Sequence, residues 1–548
     1  MSNVKWGTPE SLCTLLCELV SWQSRTLTEG ECEFAHKVKA KFMELDYFKE
    51  NPSYLELNDA GLGRNVVTAL YKNPEVTETI VLISHFDTVH TEEYGDLEPF
   101  AFQPKELTRK LRLRLGELPE DARIDLESGS YLFGRGTMDM KMGLALHMAL
   151  IEKASIEKWP INLLLVTVPD EEVNSAGMRA AVPELVRLRD EQKLTYKLFL
   201  NSEPSFSQEP GDPNYYIYSG TIGKIMPAVL FYGKETHVGE PMSGMTANFM
   251  ASFLTQQMEW NPLFRESDLG EKTPLPVTLH QKDLKMEYST QTPYRAAALY
   301  NVFLMKRGAE EVMHIFTKVA EDAAKACNRA YSEICKREGV NPVGKVTVLS
   351  YEELLLHAEK KLGSDVIARI KANVLTNTKW DDREKSIRIV DSLMIECQEL
   401  GPVMVLLFAP PYYPAVNTSK DPLIIDSIHL IKEIGREQFN LEVNQIHYFN
   451  GICDLSYVSY DDKNEGWTMF ERNTPVWGDT YSIPFAEMQD LQGPVLNVGP
   501  FGKDAHKRTE RLHIESAFVQ LPVMLETLVR SLFPIKLEAC KCPDLVER

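Results

Sequence analysis

The sequence predicts an α/β protein whose largely parallel sheet is covered on both faces by helices. Three observations carry that prediction. Short apolar runs rich in β-branched residues read as buried strands, helical patterns separate the early ones, and each run ends in a cluster of His, Asp or Glu. In such sheets the site lies beyond the carboxyl ends of the strands, which is where these clusters fall.

The first run, 79–84, is followed by His85, Asp87 and His90. The second, 131–133, leads through Gly134 and Gly136 to Asp139, Lys141 and Gly143, then into an Ala/Leu-rich helix over 144–153. The third, 161–168, ends in Asp170, Glu171 and Glu172 and precedes a helix over 177–191. The fourth, 196–200, runs into Asn201, Ser202 and Glu203, and the fifth, 494–498, reaches Gly499, Gly502 and His506. One polar cluster after one strand means little. Five after five strands can converge on a single crevice.

Bulk properties bound the reading. A chain of 548 residues implies two domains or one domain with a large insertion, and 44% hydrophobic with 25% charged residues fits an ordinary globular protein. A net charge of −20 repels polyphosphate and anionic lipid, so neither nucleic acid nor a membrane is an expected partner. No apolar run reaches the roughly 18–20 residues that span a bilayer, and the start shows no signal-peptide core. Nine cysteines, an odd number without regular spacing, read as free thiols in a reducing cytoplasm. For Cys540 and Cys542, in a short tail, a metal role is the weaker reading.

The chemistry of each position follows from spacing. His85 and Asp87 point to the same side of an extended strand, so Asp87 can accept the second imidazole N–H of a metal-bound His85. Asp139 sits where a carboxylate could bridge two ions, or could merely cap the following helix. The adjacent Glu171 and Glu172 diverge in extended geometry, which lets one bind metal while the other works as a base. Glu203 and His506 complete a set of two histidines and three carboxylates as ligands, with one more carboxylate as base and one as orienter. Imidazole and carboxylate without thiolate suit two Zn²⁺ ions, with Co²⁺ or Mn²⁺ possible. Each motif alone has a bland reading: a surface His-Asp pair, a helix cap, a solvated acidic loop.

The ordered set resembles the co-catalytic zinc exopeptidases, among them carboxypeptidase G, aminoacylase and succinyl-diaminopimelate desuccinylase. The resemblance covers 1–250 and about 420–530. Through its length and the segment Asn450, Gly451, Ile452, Cys453, Asp454, it is nearest to a branch linked to arginine utilisation. It implies a three-layer αβα catalytic domain over 1–222 and 421–548, interrupted by an inserted α/β lid over 223–420. Carried over by motif, His85 and Glu203 would bind one zinc and Glu172 and His506 the other, with Asp139 bridging. Asp87 would orient His85 and Glu171 would be the general base. His237, in the lid motif, would contact the substrate carbonyl oxygen, often from the partner subunit of a dimer. A lid Arg commonly clamps a substrate carboxylate, and Arg295 and Arg307 are the candidates.

Two departures from the family pattern stand out. The charged segment 92–130 is longer than usual and could be a surface excursion or a flap. The lid is enlarged, with added helices over 351–399. The expected activity is hydrolysis of an amide bond in a small N-acyl amino acid or dipeptide-like substrate. The other reading is a metal-dependent regulatory or substrate-binding protein without turnover, for which Glu171 would be superfluous. A nucleophile-type hydrolase is discounted, because no Gly-x-Ser-x-Gly elbow is present.

Overall fold

The computed structural model describes residues 4–209, 212, 214–461 and 466–534; Cys540 and Cys542 lie outside them. Strands β1 (Leu55–Asp59), β2 (Asn65–Tyr71), β3 (Glu78–His85), β4 (Asn162–Val168), β5 (Thr195–Asn201) and β6 (Tyr215–Tyr218) enter one sheet. The chain then builds a second sheet from β7 (Gly223–Tyr232), β8 (Val277–Asp283), β9 (Arg295–Leu304), β10 (Thr347–Ser350) and β11 (Val403–Tyr413). It returns to the first sheet with β12 (Val443–Ile446) and β13 (Val495–Asn497).

The first sheet has eight strands in the order β1-β2-β4-β3-β5-β13-β6-β12. Its centre, β4-β3-β5-β13, is parallel throughout, while β1, β2 and the β13–β6 contact are antiparallel. Alternation along the strands explains why it is buried on both faces. Ile80 and Leu82 enter one apolar core with Leu144, Met148 and Ile151 of the helix Met142–Glu157. Val81 and Ile83 enter the other with Met178, Ala181 and Leu185 of the helix Ala176–Gln192. The parallel register sets His85 opposite Val168 and Ile83 opposite Asn201, and Asn201 opposite Asn497. The segments that follow these strands therefore leave the sheet at one edge.

The expected strand at Tyr131–Phe133 forms, but outside that sheet. It pairs with Arg511–His513, itself paired with Gly502–Lys503, in a separate three-stranded sheet. The segment 92–130 folds into a 3₁₀ turn and the helices Pro104–Leu111 and Glu120–Ser128, which bury Tyr94, Leu97, Leu107 and Leu126 in the core. It is a docked excursion, held by Asp125, which accepts from Arg511 Nε at 2.7 Å and Lys503 Nζ at 2.8 Å.

The second sheet runs β8-β9-β7-β11-β10, antiparallel except for β10–β11. Long helices cover it, including Ala309–Glu338, and three more follow at Tyr351–Leu362, Ser364–Leu375 and Asp382–Glu396. The two sheets are joined where Gly220–Thr221 pairs antiparallel with Val416–Asn417. Among the described residues no helix is long and apolar enough to cross a membrane.

Candidate active site

His85 closes β3 and is almost fully buried. Its Nδ1 lies 3.2 Å from the Asp87 carbonyl oxygen and 3.4 Å from Asp87 Oδ1. An N–H there leaves Nε2 as the free donor atom. That Nε2 faces Asp139 Oδ1 at 3.2 Å, Glu203 Oε1 at 3.4 Å and Glu171 Oε2 at 3.9 Å. On the other side of Asp139, His506 Nε2 lies 3.0 Å from Oδ2 and 3.1 Å from Glu172 Oε2. Two donor triads result, His85–Asp139–Glu203 and Asp139–Glu172–His506, each with its ligand atoms within 4.8 Å of one another. The two oxygens of Asp139 are divided between them.

Local backbone chemistry places each group. Asp139 lies in the irregular turn Thr137–Lys141, which starts after Gly136 in the left-handed region at φ 74°. Lys141 anchors the turn by donating to the carbonyls of Leu19 and Trp22. Asp87 does more than touch His85: its carboxylate accepts the backbone N–H groups of Glu171 at 3.0 Å and Glu172 at 3.3 Å, and the Thr26 hydroxyl at 2.8 Å. Asp170 and His506 sit in the left-handed region at φ 66° and 65°, a conformation that costs a non-glycine residue about 1–3 kcal/mol and clusters at functional sites. Arg64 pairs with Asp170 at 2.7 Å and holds that loop. At Gly499 a Cβ would meet the Glu203 carbonyl oxygen at 2.0 Å, so only glycine lets the chain to His506 cross there.

The electrostatics are one-sided. Asp87, Asp139, Glu171, Glu172, Glu203 and Asp454 surround two imidazoles, and among the described residues none of these carboxylates has a Lys or Arg ion-pair partner. Burial raises the carboxyls of Glu171 and Glu203 well above the ordinary range and raises that of Glu172 too, with neighbouring carboxylates adding to the effect. Burial opposes ionisation of Asp139, yet its hydrogen bonds to His506 and His85 hold it low. The Asp139 and Glu172 contacts push His506 up to about 11. Around His85 burial works against protonation, and Glu203, Asp139 and Asp87 outweigh it to raise the imidazole well above its usual value. Buried negative charge of this kind is stable only against cations, and the imidazole–carboxylate donor set fits two divalent ions of the zinc class.

Not every residue singled out in the sequence joins the cluster. His237 is exposed, and its Nδ1 accepts the Gly239 N–H at 3.0 Å. Arg295 pairs with buried Asp391 at 3.0 Å, and Arg307 donates to the Leu263 carbonyl. Another histidine outside the cluster, His147, is buried, with Nε2 2.9 Å from the Ser202 hydroxyl, and burial pushes it down to about 3.

Two groups to which the sequence gave no chemistry face the cluster instead. Asp454 is 2% exposed, takes the Ser175 hydroxyl on Oδ1 at 3.0 Å, and leaves Oδ2 without a hydrogen bond. Burial first, then nearby carboxylates, push it up to about 7. Lys224, on β7, stands opposite Tyr413 of β11, whose phenol donates to the Glu171 carbonyl oxygen at 3.2 Å. Burial and the charge of Arg383 pull the Lys224 ammonium down, while Glu171 pulls it up.

Residues 81–335 match peptidase family M20/M25/M40. Over 535 residues the chain is 40% identical to protein YqjN of Bacillus subtilis strain 168, covering 96% of this chain and 97% of that protein. It is 30% identical to protein RocB of the same organism, covering 94% of each. In three dimensions it is similar to an M20 family metallo-carboxypeptidase from Sulfolobus solfataricus, with a TM-score of 0.56, 13% identity, and 94% of this chain and 98% of that one covered.

Proposed function

The chain belongs to peptidase family M20/M25/M40, a metal-dependent hydrolase of that family, and from this premise we propose that it hydrolyses an amide bond in a small N-acyl amino acid or dipeptide-like substrate. The observation that carries the proposal is the pair of donor triads sharing Asp139, with the Glu171 carboxylate beside them. His85, Asp139 and Glu203 would hold one ion and Asp139, Glu172 and His506 the other, with zinc as the ion expected. When bound, two such ions polarise the scissile carbonyl and lower the pKa of water.

The chain's own residues supply the rest. Asp87 holds His85 in one tautomer and, through two backbone N–H groups, fixes the loop from which both glutamates project. Glu171, whose carboxyl is raised by burial, takes the proton of the attacking water and returns it to the leaving amine. Lys224, beside Glu171, is the cation we assign to the substrate's carboxylate. His237 would act on the carbonyl oxygen from a partner subunit. We assign 1–222 and 421–548 to the catalytic domain and 223–420 to the lid, with 220–221 and 416–417 as the joint between them. Arginine derivatives head the substrate screen, because the branch that the sequence resembles is one of arginine utilisation.

The test is Glu171→Gln. It is expected to keep the fold and the metal content while lowering kcat by about 10²–10⁴-fold. Turnover equal to the parent protein would remove Glu171 from the mechanism.

A further inference from the structure

The helices added to the second sheet carry a donor set of a different kind. His357 lies on the helix Tyr351–Leu362, Cys397 caps the helix Asp382–Glu396, and Glu399 lies in the 3₁₀ turn Gln398–Leu400. An imidazole nitrogen, the thiol sulfur and a carboxylate oxygen of these three lie within 4.8 Å of one another. His357 Nε2 and Glu399 Oε1 are 3.0 Å apart. Lys361 occupies the other carboxylate oxygen, Oε2, at 2.8 Å and donates to the Glu396 carbonyl at 2.6 Å, so it fixes Glu399 without taking the oxygen that faces the imidazole.

The geometry points to a third metal site, formed by His357, Cys397 and Glu399, for a zinc-class divalent cation. With metal–nitrogen and metal–oxygen distances of about 2.0–2.2 Å and a metal–sulfur distance of about 2.3 Å, tetrahedral donors stand roughly 3.3–3.6 Å apart, so small side-chain rotations close the set around an ion. Water completes four-coordination. Binding replaces the thiol proton with the metal and releases that proton to solvent. The charge of the ion and of Lys361 is offset by the thiolate, by Glu399 and by Glu396, whose carboxylate acts on Cys397.

Position gives the site a structural role. The ion ties the helix Tyr351–Leu362 to the turn that enters β11 at Val403, and the far end of the same strand carries Tyr413 against the Glu171 carbonyl. It fastens the added helices to the strand that borders the catalytic cluster.

The thiolate makes the site separable from the catalytic one, whose donors are all nitrogen and oxygen. The probe is Co²⁺ loaded into the full-length protein and read by near-ultraviolet absorption. A thiolate-to-cobalt charge-transfer band is expected, bleached by added Zn²⁺ and lost in Cys397→Ser, with turnover retained. His357→Gln changes a side chain that is 39% exposed and serves as the control should the buried Cys397 variant fail to fold; it too is expected to lose the band. No band in the parent protein, or a band undiminished in His357→Gln, overturns the site.

Discussion

Two buried charged regions lie side by side at the carboxyl edge of the main sheet, and they are balanced in opposite ways. In the small sheet, Arg511 is held by Asp125, Asp121 and Asp504, and Arg135 by Glu510 and Glu93. Every buried carboxylate there has a guanidinium or ammonium within reach, supplied by the chain itself. In the cluster around Asp139 six carboxylates face two imidazoles, and among the described residues none of the six forms an ion pair with a Lys or Arg. The first region is complete as folded and holds the loop from Asp504 to Arg511 that presents His506. The second is left for cations that the chain does not encode.

Removing a charge should therefore have opposite effects in the two regions. The largest stability effect is expected from Arg511→Met, which removes the buried guanidinium shared by Asp125 and Asp504, leaves them only Lys503 and Lys507, and should cost about 3 kcal/mol in denaturant unfolding. Glu203→Gln, by contrast, relieves like-charge repulsion and should raise the melting temperature of the metal-free protein. A fall in that temperature would show that the cluster is balanced in some other way.

A second contrast separates two cations of the second sheet. Lys224→Met should raise KM about 10-fold with kcat little changed, as expected when a charge-assisted contact to substrate is lost. Arg295→Met should leave KM unchanged and lower only the stability, because Arg295 is engaged with Asp391. The reverse pattern would return the carboxylate clamp to Arg295.

The smallest effect is on pH dependence. Glu171, Glu172 and Glu203 have folded pKa values raised above those of the unfolded chain. The stability they contribute is full below about 4 and is lost as pH rises through the folded values. Asp454, pushed up to about 7, and His506, pushed up to about 11, act with the same sign. Asp139, held low, acts against them. The metal-free protein should thus lose thermal stability progressively as pH rises above about 4, through the Asp454 value of about 7 and on toward the His506 value of about 11, and the metal-loaded protein should not. Equal pH profiles for the two forms would count against the uncompensated cluster.

The balanced and unbalanced regions were unequally legible in the sequence. Strands β3, β4 and β5 announce themselves because a β-branched run and the polar residues after it are local, and a parallel register then brings their ends together. The pairing of Tyr131–Phe133 with Arg511–His513 was hidden, since the partner strand is nearly the whole chain away and only three residues long. Lys224 and Asp454 carry no motif chemistry; Lys224 is placed by its register opposite Tyr413, which bonds the Glu171 carbonyl, and Asp454 by the turn after Ile452, at φ 63°, and its bond from Ser175. Arg295 and Arg307 show the limit from the other side. Residue type suggested a clamp, but a buried Asp391, ninety-six positions away, decides where the Arg295 guanidinium goes.

The central claim is that Asp139 is shared between two metal sites. It is tested most directly by comparing metal content per chain in the parent protein and in Asp139→Asn after loading with Zn²⁺ and removal of free ion. The account predicts a loss of about two ions per chain in the variant, against about one in His506→Ala. A loss of one ion or none in Asp139→Asn, with the fold intact, would contradict the shared carboxylate.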